Sequence, residues 1–438
     1  MKQSPLVWLL NFLRPYAGRV ALSILLGVAT VGSVVALMGT AAFLIATAAL
    51  QPSIAVLEVS IVGVRFFGIS RAVFRYAERL VSHWVNFSLL ARLRTWFYIR
   101  LEPLAPAGLQ EFRSADLLSR AIADIETLEN FYVRAVSPPL VALLVTLGAS
   151  WFVGRYDPRL GLLLAGGLLL GGLALPGLTY LMARKPGREV VERRAQLNNE
   201  LLDAIQGMPD LLAFGQGEAQ RARIWKSGES LRKAQIRQAQ AGALGNAAGS
   251  LLSGLTVMSV LIVAIPQVGQ RFDGVALSVL ALVSLAAFEA VTPLTQAAQQ
   301  LGSCIQAARR LIAMVELQPE VKAPEHPLAL ASGPVDLQIH GLSFAYPGEP
   351  QPALQDFDLD LPPGKHVALV GPSGAGKTTL INLLLRFWEW DQGLITLNQC
   401  DLRDYDAQDV RRKMSVISQS TYIFAGTLRQ NLLLAEPG

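Results

Sequence analysis

Eight consecutive residues, Gly371-Pro372-Ser373-Gly374-Ala375-Gly376-Lys377-Thr378, set three glycines, a lysine and a hydroxyl at the spacing G-x-x-x-x-G-K-[ST]. Glycines let successive backbone N–H groups converge on one point, the lysine adds a long positive arm, and the hydroxyl supplies a hard oxygen. That set suits the phosphates of a nucleotide and a magnesium ion. The motif's usual context is a strand that ends at the loop and a helix that starts just beyond it, so that the positive end of the helix also faces the phosphates. Residues 366–370, rich in Val and Leu, read as that strand, and 379–387 as that helix. On this reading Lys377 reaches the β/γ oxygens of ATP and Thr378 ligates Mg²⁺. Gly371, Pro372, Ser373, Gly374, Ala375, Gly376 and Thr379 complete the cradle.

Two further residues have chemistry that depends on this loop. Tyr346, in Phe344-Ala345-Tyr346-Pro347-Gly348, closes a predicted strand, so its flat ring is either a packing residue or a platform for the adenine. Gln419 follows a predicted strand at 414–417; its amide oxygen suits Mg²⁺ or the attacking water, although an isolated Gln is more often polar surface.

A second group of candidates lies in or beside apolar runs, where unpaired charge is costly. Arg65 lies seven residues after Glu58 on one helical face, which reads either as an internal ion pair or as an anion site. Arg75, Arg79 and His83 recur every four residues, so on a continuous helix two guanidiniums and an imidazole project from one face. That trio has the groups of a haem site, an axial nitrogen and partners for propionates, and equally those of a helix face meeting lipid phosphates. Glu289 either pairs with an arginine across the bundle or marks a translocation path. Cys304 and Cys400 are too far apart in sequence to suggest a metal site or a disulfide framework.

The elements that must carry these residues follow from composition. At 438 residues, 52% hydrophobic and only 16% charged, with a mean hydropathy of +0.39, the chain has too little polar surface for a water-soluble globule and too much apolar character for disorder. Six apolar runs, near 20–46, 54–69, 140–153, 160–181, 247–265 and 275–290, read as membrane spans. Residues 65–134 hold ten Arg and no Lys, and 184–237 hold eleven Lys plus Arg, whereas the links at 51–53, 154–159 and 267–274 are short and nearly neutral. By the positive-inside rule the two long basic segments and both termini face the cytoplasm. The net charge of +5 is thereby explained without nucleic acid. Helical periodicity runs on through both basic segments, so the spans extend inward as long helices that reverse near 104–118 and 207–217. Residues 1–318 then form the transmembrane domain, 319–334 a Pro/Ala/Gly-rich linker, and 335–438 a nucleotide-binding domain opening with antiparallel strands near 335–346 and 353–361. The tips at 112–118 and 208–214 are the places to couple nucleotide binding to the spans.

This order of six spans, inward extensions, linker, aromatic residue, phosphate loop and Gln resembles the half-transporters of ATP-binding-cassette exporters. The segments Arg75-Tyr76-Ala77-Glu78-Arg79-Leu80-Val81-Ser82-His83, Leu104-Ala105-Pro106-Ala107-Gly108-Leu109, Ala286-Ala287-Phe288-Glu289-Ala290 and Thr427-Leu428-Arg429-Gln430-Asn431-Leu432-Leu433-Leu434 are similar to the C-subunit branch of the CydDC-type exporters. The resemblance implies an all-α six-helix transmembrane domain of the type I exporter kind followed by an α/β P-loop domain. It further implies a heterodimer with a CydD-like half-transporter in the bacterial inner membrane. ATP-driven export of a small-molecule cargo, either a thiol (cysteine, glutathione) or haem, would support cytochrome bd assembly. It also implies favouring haem at His83, Arg79 and Arg75. The signature, Walker B and switch-histidine segments of that family are not in these residues, so the chain reads as C-terminally truncated, no catalytic residue is assigned, and ATPase activity is expected only of the intact type with its partner. A lipid or drug exporter half, a nucleotide-binding subunit that does not hydrolyse, and a membrane-anchored adenylate-using enzyme are the alternative readings.

Overall fold

The computed structural model describes residues 4–109, 120–330, 333–417 and 422–434. The chain divides into two compact units, Met1–Phe97 with Ser114–Met314 and Tyr98–Arg113 with Val315–Gly438.

The first unit is built of helices joined by short turns. Its elements are α1 (Pro5–Leu13), α2 (Ala17–Ala48), α3 (Ile54–Leu101, whose last residues belong to the second unit), α4 (Ile125–Asn130), α5 (Ser137–Gly154), α6 (Pro158–Leu169), α7 (Leu175–Gln206), α8 (Met208–Ala213), α9 (Gly217–Ala264), α10 (Gly274–Ala287) and α11 (Leu294–Val315). Among the described residues five helical stretches, Pro5–Ala48, Ile122–Gly154, Pro158–Gln206, Gly217–Gln267 and Gly274–Val315, are long and apolar enough to cross a membrane. They carry five of the six predicted spans and make this a multi-pass membrane protein. The second predicted span, 54–69, is not among the five. It opens the 48-residue α3, and there Glu58, Arg65 and Arg71 interrupt the apolar run within ~five turns.

Close helix contact is achieved with small residues, as expected where lipid removes the ordinary hydrophobic drive between helices. A Cβ on Gly167 would sit 2.3 Å from Thr256 Oγ1, and one on Gly245 2.7 Å from Thr179 Oγ1, so α6 and α7 lie directly against α9. Val145, Ala149, Leu160, Leu164, Val260 and Leu280 fill the space between α5, α6, α9 and α10. Two single π-helical turns, Phe131–Val136 and Leu170–Ala174, stand immediately before Pro138-Pro139 and Pro176. Proline has no N–H to give the preceding turn, and a widened turn absorbs that loss.

The long helical extensions are continuous with the spans, as expected. α7 ends at Gly207, the short α8 follows, Gly215 takes φ +65°, and Gln216 N–H donates to Leu211 O (2.8 Å) before α9 departs. The predicted reversal at 207–217 is therefore present, built from a glycine that can adopt a left-handed conformation. Of the first reversal, Glu102–Leu104 and Ala107–Leu109 form two short 3₁₀ turns, while 110–118, including the whole of the expected coupling tip at 112–118, lies outside the described residues.

The second unit is built on a four-stranded sheet of order β2-β1-β3-β4, with β1 (Leu337–Phe344), β2 (Leu354–Leu361), β3 (Gln392–Leu397) and β4 (Cys400–Asp401), antiparallel at each pairing. α12 (Lys377–Leu384), α13 (Ala407–Arg412) and α14 (Leu428–Leu432) accompany it. Ile339, Leu342 and Phe344 of β1 are buried with Leu383, Trp388 and Ile395, and Ala107 from the turn after α3 joins the same core. The inward positions of β1 slip by one between Ile339 and Leu342 because Gly341 (φ +56°) forms a bulge there. Gly393 accompanies it: a Cβ at that position would lie 2.5 Å from Gly341 O.

Two expectations are corrected. Residues 366–370 and 414–417 carry no strand pairing among the described residues, and Val370 and Ile417 are 90% and 94% exposed. A strand needs a neighbour to take up its backbone N–H and C=O groups, and no described strand pairs with either run. The helix after the phosphate loop is also shorter than expected, ending at Leu384 rather than 387. The buried Arg386 follows with φ +50°.

Candidate functional site

β2 runs from Leu354 to Leu361 and turns at Pro362-Pro363-Gly364, where Lys365 N–H donates to Pro362 O (3.1 Å) and Gly364 takes φ +75°. The chain then reaches the loop Gly371–Gly376. Gly374 and Gly376 hold φ +86° and +82°, and a Cβ on Gly376 would lie 2.3 Å from Ala353 O beside the start of β2. Only glycine meets both demands, left-handed backbone and contact with a neighbouring carbonyl. α12 begins at Lys377 with Gly376 as its N-cap and no side-chain cap. Its first N–H groups are therefore not capped by a side chain, which is the electrostatic basis of an anion cradle.

Lys377 Nζ donates to Gly371 O (2.8 Å) and Pro372 O (2.6 Å), so the ammonium lies folded across the loop it is expected to serve. Thr378 is exposed and its hydroxyl accessible, as a Mg²⁺ ligand must be. Thr379 differs: it is 6% exposed and its Oγ1 accepts a hydrogen bond from Tyr346 Oη (3.3 Å). Gly371, Pro372, Ser373, Gly374 and Ala375 are exposed in sequence order around the lysine, with Ala375 N–H donating to Pro372 O (3.2 Å). The groups present fit a bound Mg-nucleotide: backbone donors, one cation and one free hydroxyl.

The structure thus brings Tyr346 to the phosphate loop through Thr379. The tyrosine ring is half-buried and held edge-on by Phe344 (centroids 5.0 Å apart) and by Trp388 (5.2 Å apart). Trp388 was not singled out from sequence. The signal was the aromatic run Phe387-Trp388-Glu389-Trp390 just beyond the expected helix. Arg386 was missed too. Its guanidinium donates to Tyr405 O (2.5 Å), Lys322 O (3.2 Å) and Glu389 Oε1 (2.9 Å), tying the linker region to the end of α12. Arg411 then donates to the carbonyls of Leu385 (2.9 Å) and Arg386 (3.0 Å). Burial, and next the charge of Arg386, push the Arg411 guanidinium below its ordinary value. Gln419, expected to serve Mg²⁺, lies outside the described residues.

The candidates on α3 are arranged differently. The helix is continuous, so Arg75, Arg79 and His83 do share one face, ~6 Å apart along the axis at each step. Arg75, expected as a partner for an anion, is instead paired: its Nη2 lies 3.3 Å from Glu289 Oε1, with both side chains about half exposed. The carboxylate reaches it from another element, a placement that spacing along α3 cannot show. Arg79 and His83 remain exposed, His83 stacked on Phe87 with centroids 6.0 Å apart. Glu58 and Arg65 are both exposed and form no ion pair with each other among the described residues. Two helical turns separate them by ~10 Å, beyond the reach of an i,i+3 or i,i+4 pair.

Comparison with known proteins agrees with this arrangement. The family described as ABC transporter matches residues 354–436. The chain is 35% identical over 381 residues to the glutathione/L-cysteine transport system ATP-binding/permease protein CydC of Escherichia coli K12, covering 86% of this chain and 66% of that protein. It is 30% identical over 444 residues to the CydD protein of the like-named system of Bacillus subtilis 168, covering 98% and 75%. An ATP-dependent lipid A-core flippase of Vibrio parahaemolyticus matches at 26%, covering 80% and 60%. The chain spans slightly under two thirds of the CydC proteins it matches, 66% and 65% of their lengths.

Proposed function

This chain belongs to the ABC transporter family, alongside its CydC and CydD members, and from that premise we propose that it is one half of a heterodimeric, ATP-driven exporter of the bacterial inner membrane. The observation that carries the reading is the phosphate loop, in which two left-handed glycines, the start of α12 and Lys377 meet within six residues of chain. ATP supplies the free energy by binding and hydrolysis, with Mg²⁺ offsetting its phosphate charge. Lys377 releases its two carbonyls to hold the phosphates, Thr378 offers its hydroxyl to the metal, and Gln419 serves the same ion or the water. Tyr346, held by Thr379 and Trp388, faces the base. Both termini lie in the cytoplasm, and the nucleotide-binding domain closes against that of a CydD-like partner. The α8 tip, where Leu212 and Phe214 are 69% and 77% exposed, carries that closure to the spans.

The cargo on this reading is a low-molecular thiol, glutathione or cysteine, as in the names of the CydC and CydD relatives, and export of the reductant supports cytochrome bd assembly. A second cargo reading, haem, is favoured by one observation: His83 and Arg79 stay exposed on one face of α3 while Arg75 is held by Glu289.

In the full-length heterodimer, Lys377→Ala is expected to weaken binding of a labelled ATP analogue by ~10- to 100-fold, since a charge-assisted contact to phosphate is lost. Unchanged binding rejects the cradle. Transport into inverted vesicles, with glutathione and haem offered in competition, separates the cargoes. His83→Ala that leaves the haem spectral shift and affinity intact rejects axial ligation by this residue.

A further inference from the structure

Arg386 is 1% exposed, and its backbone holds φ +50°. It stands just past the C-terminus of α12, where its own N–H donates to Leu383 O (2.9 Å) and that of Phe387 donates to Asn382 O (2.9 Å). This is the left-handed stop of a helix, a place that glycine fills without steric cost and arginine does not. The arginine also leaves its Nε–H buried with no hydrogen-bond partner among the described residues. Both features cost stability, so ending α12 gives no reason for this residue. What the side chain adds is reach.

Its guanidinium joins three stretches of the second unit. Nη1 donates to Tyr405 O, and Nη2 to Lys322 O and Glu389 Oε1. Lys322 lies in the linker that leads from α11 to β1, and six residues further on Leu328 N–H donates to Asp404 O (2.9 Å), next to Tyr405. The stretch 322–328 is thus fastened at one end by Arg386 and at the other by the turn whose Tyr405 carbonyl Arg386 grips. Pro324 and Pro327 stiffen it in between. Lys322, Ala323 and residues 325–329 are exposed, so apolar burial does little to hold this stretch and its order depends on those backbone ties.

α12 is eight residues long, ~12 Å at ~1.5 Å per residue. Its first turn is the phosphate cradle, and its far end is clamped by Arg411 of α13 through the carbonyls of Leu385 (2.9 Å) and Arg386 (3.0 Å). So short a rod moves as one piece: phosphates that order its start also order the guanidinium at its end. By linkage the effect is reciprocal, and whatever factor nucleotide adds to docking of the linker, docking adds to nucleotide affinity.

We propose that Arg386 is a positioning residue that makes docking of the 319–330 linker depend on nucleotide in the phosphate loop, a connection between ATP and the chain leaving α11 that bypasses the α8 tip. This role rests on nucleotide binding at the loop as proposed above.

The test is hydrogen–deuterium exchange of the full-length heterodimer with and without a non-hydrolysable Mg-ATP analogue, at a concentration that just saturates wild type. The analogue is expected to slow exchange in the 319–330 peptide of wild type at least ~fivefold, about the worth of one net hydrogen bond. The slowing should vanish in Lys377→Ala; slowing that persists there comes from the partner's site and overturns the proposal. Arg386→Met keeps an apolar stem and loses the donors. It should abolish the slowing and weaken analogue binding by the same factor, while exchange of the β1 peptide 337–344 keeps its wild-type rate. A merely structural role would speed β1 and the linker together, and that result overturns the proposal, as does wild-type linker exchange that bound analogue leaves unchanged. Wild type that binds no analogue overturns the cradle as well. Should Arg386→Met fail to accumulate, Leu328→Pro removes the linker's donor to Asp404 O in an exposed stretch and leaves the phosphate loop intact. Reciprocity then predicts analogue affinity ~two- to fivefold weaker, and unchanged affinity rejects the linkage.

Discussion

The phosphate loop and the Arg75–His83 face of α3 were both legible as regular spacing of chemically apt residues, yet they differ once folded. The loop makes its site from its own backbone: φ angles near +80° at Gly374 and Gly376 and the first turn of α12 aim the donors, and Lys377 is already folded across them. The α3 face makes no site from its own helix. Its side chains point outward, and what they bind depends on what another element brings, as Glu289 does for Arg75. A motif whose chemistry lies in local backbone geometry survives the step from sequence to structure. A motif whose chemistry lies in side chains on a rigid rod is rewritten by its neighbours.

The largest effect expected from this contrast is at Gly376. Gly376→Val meets both a left-handed backbone and a carbonyl oxygen 2.3 Å from its new Cβ, so it should cost ~3 kcal/mol or more and abolish nucleotide binding. Thermal unfolding and labelled-nucleotide binding of the intact transporter check this together; wild-type values in both would show that the loop is not built on that glycine.

Glu289→Gln sharpens the other side of the comparison. The Arg75–Glu289 pair is about half exposed, so its loss should change stability by less than ~1 kcal/mol. It frees a guanidinium on the His83 face, and binding of an anionic cargo there should tighten by about two- to fivefold in a titration. Unchanged or weaker binding would place the anion elsewhere.

The smallest effect concerns Asp401. Burial raises its carboxyl, but hydrogen bonds from the Arg403 side chain and backbone N–H outweigh that and hold it below the ordinary value. A depressed folded value contributes stability that is fully present above the unfolded carboxylate pKa of ~3.9 and is lost as pH falls through the folded value. Asp401→Asn should flatten that acid limb by less than ~1 kcal/mol, since Arg403 is 43% exposed and screened. Denaturation curves taken across pH 2 to about 5 report it, and an unaltered limb would assign the acid sensitivity to other carboxylates.

Much of the fold is legible in the order of residues alone. Span positions follow from the length of apolar runs that lipid demands, and the reversal at Gly207–Gly217 from the breaking power of Gly and Pro. The phosphate loop follows from glycine spacing, and β1 and β2 from alternation. These are properties of consecutive residues, and consecutive residues carry them wherever the chain goes. The tertiary structure alone decided that Thr379 turns inward to Tyr346, that Trp388 holds that ring, that Arg75 is engaged by Glu289, and that among the described residues Arg65 has no ion pair and 366–370 no strand partner. Each of those outcomes depends on a group distant in sequence arriving within a few ångströms. Such arrivals are set by packing of whole elements, which no local pattern of residue types encodes.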